Sequence, residues 1–200
     1  MKIYGAGSLE DIKKCTELGA VGILTNPQGF EAYFEGKMPL TEITEAILKE
    51  TELPVFIQIH GKDSKDLIRR GTELHGLSSR VGFKIIADEK GFEAIRELQK
   101  HDIRCIATCL FSLPQAAIAA GVGAFGICPF VSRALAIGMD MFQILTAMRN
   151  AYDRLDEAPQ IIAVSLKGVA DVELALAAGV DVSYLAHAMD LEGIAEDSVH

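Results

Sequence analysis

Eight apolar runs of strand length alternate with amphipathic segments along the 200 residues, and this alternation constrains the fold more than any other feature. Segments such as LEDIKKCTELG and GFEAIRELQKH carry apolar residues at i, i+3 and i+4, which predicts helices. A helix that ends in glycine directly before a strand recurs, as in AAGVGAFGI, and glycine is expected just past a helix C terminus. The strand-like runs are KIYGA, VGILT, PVFIQIH, VGFKIIA, RCIATCL, AFGICPF, IIAVSL and DVSYLA.

Eight strand–helix units predict an α/β protein of the (β/α)8 class, the TIM barrel, with residues 1–200 forming a single domain. Few residues follow the eighth run, so the final helix is expected to be short or missing. An open, doubly wound sheet is the alternative fold. Its dinucleotide-binding form is disfavoured, because no GxGxxG follows the first strand.

The charge balance excludes several classes of partner. The net charge is −9, whereas nucleic acids and anionic membrane surfaces are bound by basic patches. The N terminus does not resemble a signal peptide, which predicts a cytoplasmic protein. The uncharged stretch from Cys105 to Ser132 is long enough for a membrane span, but prolines and glycines interrupt it and favour a soluble core. The four cysteines lack CxxC spacing and are expected to be buried, reduced thiols.

Polar side chains cluster near the ends of the predicted strands. In a (β/α)8 barrel the active site lies at the C-terminal ends of the strands, and alternate strand residues face the interior. Such a convergent polar set predicts a functional site rather than a purely structural barrel. Its members are Thr25, Asn26, Gln58, His60, Lys84, Asp88, Thr108, Arg133, Ser165, Lys167 and His187.

Lys84 is the sharpest member of this set, because it lies in the middle of the apolar run VGFKIIA. One interpretation is a lysine whose stem packs while its amine reaches water. The other is a buried amine, whose pKa falls because burial disfavours the charged form. A neutral amine can attack a ketone and form a Schiff base.

Two further residues have a functional and a structural interpretation. Arg133 follows the sixth strand and is either a solvated loop arginine or a clamp for phosphate or carboxylate. Ser165 and Lys167, after the seventh strand, would share that anion. His60 is either a proton shuttle or a histidine hydrogen-bonded in a loop. The sequence contains neither HxH nor HExxH, the histidine spacings that would suggest a metal site.

An ordered set of short segments resembles one enzyme family, the small transaldolases and fructose-6-phosphate aldolases. LTNP at 24–27 is similar to that family's TTNP, and GKMPLTEI is similar to the segment that follows it. FIQI around Gln58, FKI around Lys84, the strand ending in Thr108, PFVSR up to Arg133 and AVSLKG around Ser165 follow in the family's order. The resemblance extends from Met1 to about Leu185.

The resemblance implies a role for each site residue. Lys84 would form the Schiff base, and Asn26, with Thr25 beside it, would bind substrate hydroxyls. Gln58 and Thr108 would hold the water that relays protons, and Arg133 and Ser165 would hold a sugar phosphate. Phe130 is also expected among the substrate-binding residues. The implied reaction is cleavage or transfer of a dihydroxyacetone unit from a phosphorylated sugar or small ketone. It implies no metal or organic cofactor, and a homo-oligomer.

Three departures from the family concern proton handling. Ala6 stands where the family has aspartate, Phe130 where its fructose-6-phosphate aldolases have tyrosine, and Gln58 where its transaldolases have glutamate. General acid–base catalysis is typically worth about 10²–10⁴-fold.

Three hypotheses follow from these departures. One is a class I aldolase in which His60 or Asp88 supplies the missing group. Another is a catalytically weakened relative that binds a phosphorylated sugar. The third is an unrelated phosphate-binding barrel, such as an isomerase.

Overall fold

The structure, a computed structural model, describes residues 2–5, 8–25 and 37–185, and gives the backbone alone for 2–3 and 182–185. Each of the eight predicted runs contains a strand. The strands are β1 (Lys2–Gly5), β2 (Ile23–Leu24), β3 (Val55–Gln58), β4 (Val81–Ile86), β5 (Cys105–Leu110), β6 (Gly126–Pro129), β7 (Gln160–Ala163) and β8 (Val182–Leu185).

Helices follow the strands, as the periodicity predicts. Several begin at a side chain that accepts a hydrogen bond from the first turn, including Ser8, Asp63, Asp88 and Ser112. Such N-caps satisfy backbone N–H groups that have no partner inside the helix. The helices are α1 (Leu9–Glu17), α2 (Leu40–Glu50), α3 (Ser64–His75), α4 (Glu89–Gln99), α5 (Leu113–Gly121), α6 (Val131–Leu135), α7 (Met141–Tyr152) and α8 (Val169–Ala177).

The eight strands form one parallel sheet in the order β1-β8-β7-β6-β5-β4-β3-β2. Strands that follow each other in sequence are neighbours in space, and β1 lies beside β8. One isolated parallel bridge links Tyr4 of β1 to Gly22, just before β2. The sheet therefore resembles a TIM barrel. The doubly wound alternative is wrong, because its strand order would reverse at a switch point.

Alternation along the strands divides the apolar residues into two layers. Phe56, Ile106 and Cys128 belong to an inner cluster on the concave face of the sheet. Val55 and Ile57, on either side of Phe56, belong to the outer cluster between the sheet and the helices. Lys84 therefore faces the interior, since Phe83 and Ile85 belong to the outer cluster and successive side chains point to opposite faces.

Aromatic side chains close the N-terminal end of the sheet, and we call this cluster the floor. The rings of Phe56 and Phe125 stack with centroids 5.4 Å apart, and the Arg104 guanidinium lies 5.7 and 5.5 Å from their centres. Tyr4 meets the Phe56 ring edge-on and donates a hydrogen bond to Gln160 Oε1 at 3.4 Å. Burial raises the pKa of Tyr4 to about 12, so the phenol stays neutral at physiological pH.

The uncharged stretch between Cys105 and Ser132 is divided between β5, α5, β6 and the start of α6. The longest of these elements, α5, has nine residues. Among the residues that the structure describes, no helix is long and apolar enough to cross a membrane. The expected short or missing final helix concerns residues 186–200, which lie outside the described part of the chain.

Candidate active site

Lys84 lies on β4 with its side chain inside the sheet and is 6% exposed. It stands opposite Gln58 of β3 and Ile106 of β5. Its Nζ donates a hydrogen bond to the backbone carbonyl of Thr25 at 3.0 Å. Burial lowers the pKa of Lys84, because transfer out of water disfavours the ammonium form. The amine is thereby shifted toward its nucleophilic, neutral state.

Thr25 fixes the backbone that faces this amine. Its N–H donates to the carbonyl of Phe56 at 3.0 Å, and its Oγ1 accepts from the N–H of Gln58 at 2.9 Å. These bonds join the residue after β2 to β3. The carbonyl of Thr25 is thus held against Lys84, while its buried hydroxyl is used within the sheet. A substrate-binding role for Thr25 stays a prediction.

Gln58 and His60 meet at the end of β3, as their shared face predicts. Their Nε2 atoms lie 3.2 Å apart, with Gln58 half-buried and His60 exposed. His60 also lines a cavity of about 30 Å³ together with Asp88. Ile59 and Ile85 line the same cavity, and both belong to the outer cluster. Lys84 does not line it, so this cavity brings His60 to Asp88 but not to the amine.

Asp88 has a structural task at the start of α4. Its Oδ1 accepts the N–H of Gly91 at 2.8 Å, which makes it the N-cap of that helix. The carboxylate is exposed. An N-cap of this kind is typically worth about 1 kcal/mol. The capping bond explains why an aspartate follows β4 without reference to chemistry at Lys84.

Two neighbouring residues at the end of β5 differ in what they contact. Thr108 is 0% exposed, and its Oγ1 has no hydrogen-bond partner among the described residues. It stands opposite Cys128 of β6. Cys109 is half-buried, although the sequence predicts buried thiols, and it has a positive φ of 63°. All four cysteines are free thiols.

The predicted anion site lies where β6 and β7 end. Ser132 N donates to the carbonyl of Ser165 at 2.9 Å, which joins the two strand ends. Arg133 lies in α6, which begins at Val131, and not in a loop. Its side chain is exposed, and its guanidinium lies 4.8 Å from the centre of the Phe130 ring. This geometry leaves the planar fork of Arg133 available to an anion.

Asp171 of α8 ties these two strand ends together. Its Oδ2 accepts hydrogen bonds from the hydroxyl of Ser132 and from the N–H of Lys167 at 2.9 Å. Sequence reasoning did not single out this residue, because nothing in the spacing of α8 indicates a contact with α6. It positions the segments that carry Arg133 and Ser165.

Three residues of the sequence analysis, Ala6, Asn26 and His187, lie outside the described part of the chain. Within residues 2–5, 8–25 and 37–185, no three His, Cys, Asp or Glu side chains gather in a way that could hold a metal ion.

The family model described as transaldolase/fructose-6-phosphate aldolase matches residues 6–183. The chain belongs to this family. A probable transaldolase of Thermoplasma volcanium is 30% identical over 184 residues, covering 91% of this chain and 82% of that protein. A probable transaldolase of Bdellovibrio bacteriovorus is 31% identical over 185 residues, covering 92% and 85%.

Among solved structures, the thiamine phosphate pyrophosphorylase of Pyrococcus furiosus superposes with a TM-score of 0.60 at 15% identity, covering 100% of this chain and 97% of that one. This likeness concerns the fold alone.

Membership of the transaldolase/fructose-6-phosphate aldolase family indicates an enzyme of the aldolase or transferase kind. It overturns the hypothesis of an unrelated phosphate-binding barrel. The predicted family is confirmed, whereas the role of each site residue stays a prediction.

Proposed function

We propose that the protein is a Schiff-base aldolase or transaldolase that cleaves or transfers a dihydroxyacetone unit of a phosphorylated sugar such as fructose 6-phosphate. The observation that carries this proposal is Lys84, a lysine with 6% exposure on the concave face of a barrel-like sheet. Burial lowers its pKa. A structural lysine at this place would cost stability without a compensating ion pair, whereas a nucleophilic amine requires this environment.

The chemistry begins when the neutral Lys84 amine attacks the substrate carbonyl. Loss of water from the carbinolamine gives an iminium ion, which withdraws electrons from the bond between the α and β carbons of the substrate. Cleavage of that bond releases an aldehyde and leaves a three-carbon enamine on Lys84. Hydrolysis of the protonated enamine gives the aldolase reaction, and capture by another aldehyde gives the transaldolase reaction.

The substrate phosphate is assigned to Arg133 and Ser165. Arg133 is exposed beside Phe130, and Ser165 is joined to Ser132 at the neighbouring strand end. Phosphate sites in (β/α)8 barrels frequently lie at the loops after the last strands. Asn26 is proposed to bind substrate hydroxyls.

Borohydride trapping tests the Schiff base. The protein is incubated with fructose 6-phosphate or dihydroxyacetone, reduced with sodium borohydride, and its intact mass is measured, followed by peptide mapping. We expect one adduct on Lys84 and none in Lys84→Met. The matched control is Lys65→Met, which removes an exposed lysine of α3. A wild-type protein that gains no mass, or an adduct mapped elsewhere, contradicts the proposal.

Arg133→Ala tests the phosphate assignment. A hydrogen bond to a charged group contributes about 1.5–3 kcal/mol, so KM for fructose 6-phosphate should rise about 10–100-fold. Trapping with dihydroxyacetone, which carries no phosphate, should be unchanged. An adduct and phosphate-dependent binding without turnover would favour the weakened, sugar-phosphate-binding relative.

We also propose that the sheet is a closed (β/α)8 barrel in a single domain and that the protein forms a homo-oligomer. The bridge from Tyr4 to Gly22 supports closure, since it links the two edge strands. Exposed Ile118 on α5 and Phe142 on α7 support self-association. Light scattering at a series of protein concentrations measures the oligomer, and a monomer at all of them would contradict it.

A further inference from the structure

The proposed reaction needs a group that donates and accepts protons beside Lys84, and the described residues leave few candidates. Gln58 is an amide and Phe130 carries no hydroxyl. The Asp88 carboxylate caps α4, and the Asp171 carboxylate holds Ser132 and the backbone of Lys167. His60 lines the cavity that it shares with Asp88, and Lys84 does not line that cavity. Each of these side chains is therefore unable to ionise, already used, or part of a cavity apart from the amine.

Two thiols lie near enough to Lys84 to affect its pKa. After burial, the neighbours that act on the pKa of Lys84 are Cys128 and Cys109. The influence is mutual, because Lys84 lowers the pKa of both thiols. Burial has the larger effect and raises the pKa of each thiol overall. The amine and the two thiols thus form one electrostatic cluster.

An irregularity of β5 brings Cys109 into this cluster. Along a regular strand Cys109 would point away from the interior, since Ile106 and Thr108 point inward. The pairing of β5 with β6 shifts between Thr108 and Leu110, and Cys109 has a positive φ of 63°. A β-bulge of this kind re-aims side chains and is over-represented next to active sites. The thiol consequently interacts with Lys84 and with Arg133.

A fully buried hydroxyl, that of Thr108, lies beside both thiols. Thr108 is 0% exposed, and its Oγ1 has no hydrogen bond of normal geometry with the described residues. It nevertheless lies close enough to the thiols of Cys109 and Cys128 to lower the pKa of both. A buried hydroxyl is normally hydrogen-bonded, and an exception is expected where the hydroxyl binds water or has a functional role. Thr108 faces the interior between Cys109 in sequence and Cys128 across the sheet. Its hydroxyl is positioned to bond a substrate oxygen or a water that relays a proton.

We propose that Cys109 is the acid–base residue of the Schiff-base chemistry at Lys84, with the Thr108 hydroxyl as its relay. This inference rests on the proposed function and adds the proton-handling residue that the family's usual positions lack. Cys109 is chosen over Cys128 because it is half-buried at the strand end, whereas Cys128 is fully buried.

The proton balance closes over one cleavage. The neutral carbinolamine on Lys84 takes a proton from the Cys109 thiol on its hydroxyl and loses water, which leaves an iminium cation and a thiolate. The thiolate then takes the proton from the hydroxyl on the β carbon, the atom of the scissile bond that becomes the aldehyde carbon. That carbon–carbon bond breaks, the aldehyde leaves, the electron pair neutralises the iminium as an enamine, and the thiol is restored.

The charges of the site support the thiolate during this cycle. Arg133 lowers the pKa of Cys109, as does a positive charge on Lys84. Burial raises the pKa of Cys128 to about 12, which keeps that thiol protonated. The iminium carries its positive charge on the Lys84 nitrogen, so the ion pair forms only after the substrate is bound.

Cys109→Ser and Cys109→Ala in the full-length protein test the proposal. Both variants keep a Cβ in the same backbone conformation, and the serine hydroxyl ionises far above working pH. We expect turnover of fructose 6-phosphate to fall about 10²–10⁴-fold, while the borohydride adduct on Lys84 still forms, more slowly. The wild-type rate of adduct formation should decline at alkaline pH as the thiol ionises, and the variants should lack this decline.

Cys15→Ser is the matched control, because Cys15 is a buried thiol on α1 in the outer cluster. It should retain the wild-type turnover and pH profile. A small exogenous thiol such as 2-mercaptoethanol should raise the turnover of Cys109→Ala but not that of Cys15→Ser. If the wild type gains an adduct while the Cys109 variants keep its turnover and pH profile, the role of Cys109 is refuted and the proposed function stands. If the wild type gains no adduct, both are refuted.

Discussion

Replacing Lys84 by methionine should make the protein more stable at neutral pH while abolishing adduct formation. The two side chains have similar length, so the packing cost of a volume-conserving change stays below about 1.5 kcal/mol. Methionine removes the cost of burying an amine that is shifted from its ordinary pKa of 10.5. Functional sites commonly hold such stability costs.

The sign and size of the effect follow from proton linkage. Burial lowers the pKa of Lys84 in the folded state. Between that lowered value and 10.5, the unfolded chain holds a proton that the folded chain lacks, so wild-type stability increases with pH. The increase is up to about 1.4 kcal/mol per pH unit. The advantage of Lys84→Met should therefore shrink as pH rises toward 10.5. Above that pH the variant should be less stable by about 0.5–1.5 kcal/mol, since it lacks the hydrogen bond to Thr25.

Urea unfolding at a series of pH values between 7 and 11 measures this difference. The free energy of unfolding is extrapolated for both proteins and subtracted at each pH. Lys65→Met, an exposed lysine of α3, controls for the loss of one positive charge. Parallel stability profiles of the wild type and Lys84→Met over this range would refute the inference that the folded protein holds a neutral amine.

Two further predictions concern the frame around the site. Asp171→Ala removes the acceptor for Ser132 and Lys167. Loss of one hydrogen bond worth about 1–1.5 kcal/mol should raise KM for a phosphorylated substrate about 10-fold. An unchanged KM in steady-state kinetics would contradict this expectation. Gly82→Ala would place a Cβ 2.6 Å from the carbonyl of Arg104. Overpacking of about 1–3 kcal/mol should lower Tm by roughly 2–12 °C, and calorimetry showing an unchanged Tm would exclude the close approach of these strands.

Local patterns predicted the fold and the position of Lys84. Each strand-like run contains a strand, because a strand of a barrel-like sheet is buried on both faces. One face packs against the helices and the other faces the interior, so its residues are mostly apolar. Phe83 and Ile85 flank Lys84 and pack in the outer cluster. Because successive side chains of a strand point to opposite faces, Lys84 points to the interior. The family segments gave the order of the remaining site residues along the chain.

Other features depend on contacts between distant segments and leave no local trace. The bulge at Cys109 arises from the pairing of β5 with β6, and alternation alone places that thiol on the wrong face. Arg133 was expected after a strand, but α6 begins two residues before it. Asp171 acts through α6 and the loop before α8, which no spacing along its own helix reveals.

The floor formed by Tyr4, Phe56, Arg104 and Phe125 closes the N-terminal end of the sheet, so the proposed substrates would enter from the C-terminal ends of the strands. As far as the described residues go, donor, acceptor and both products would then use the same entrance to Lys84. The aldehyde released by cleavage would have to depart before a second aldehyde could reach the enamine. Because the first product would leave before the second substrate binds, double-displacement kinetics would follow, with parallel lines in double-reciprocal plots. The extent of the competing hydrolysis would depend on the time between the departure of the first aldehyde and the arrival of the second.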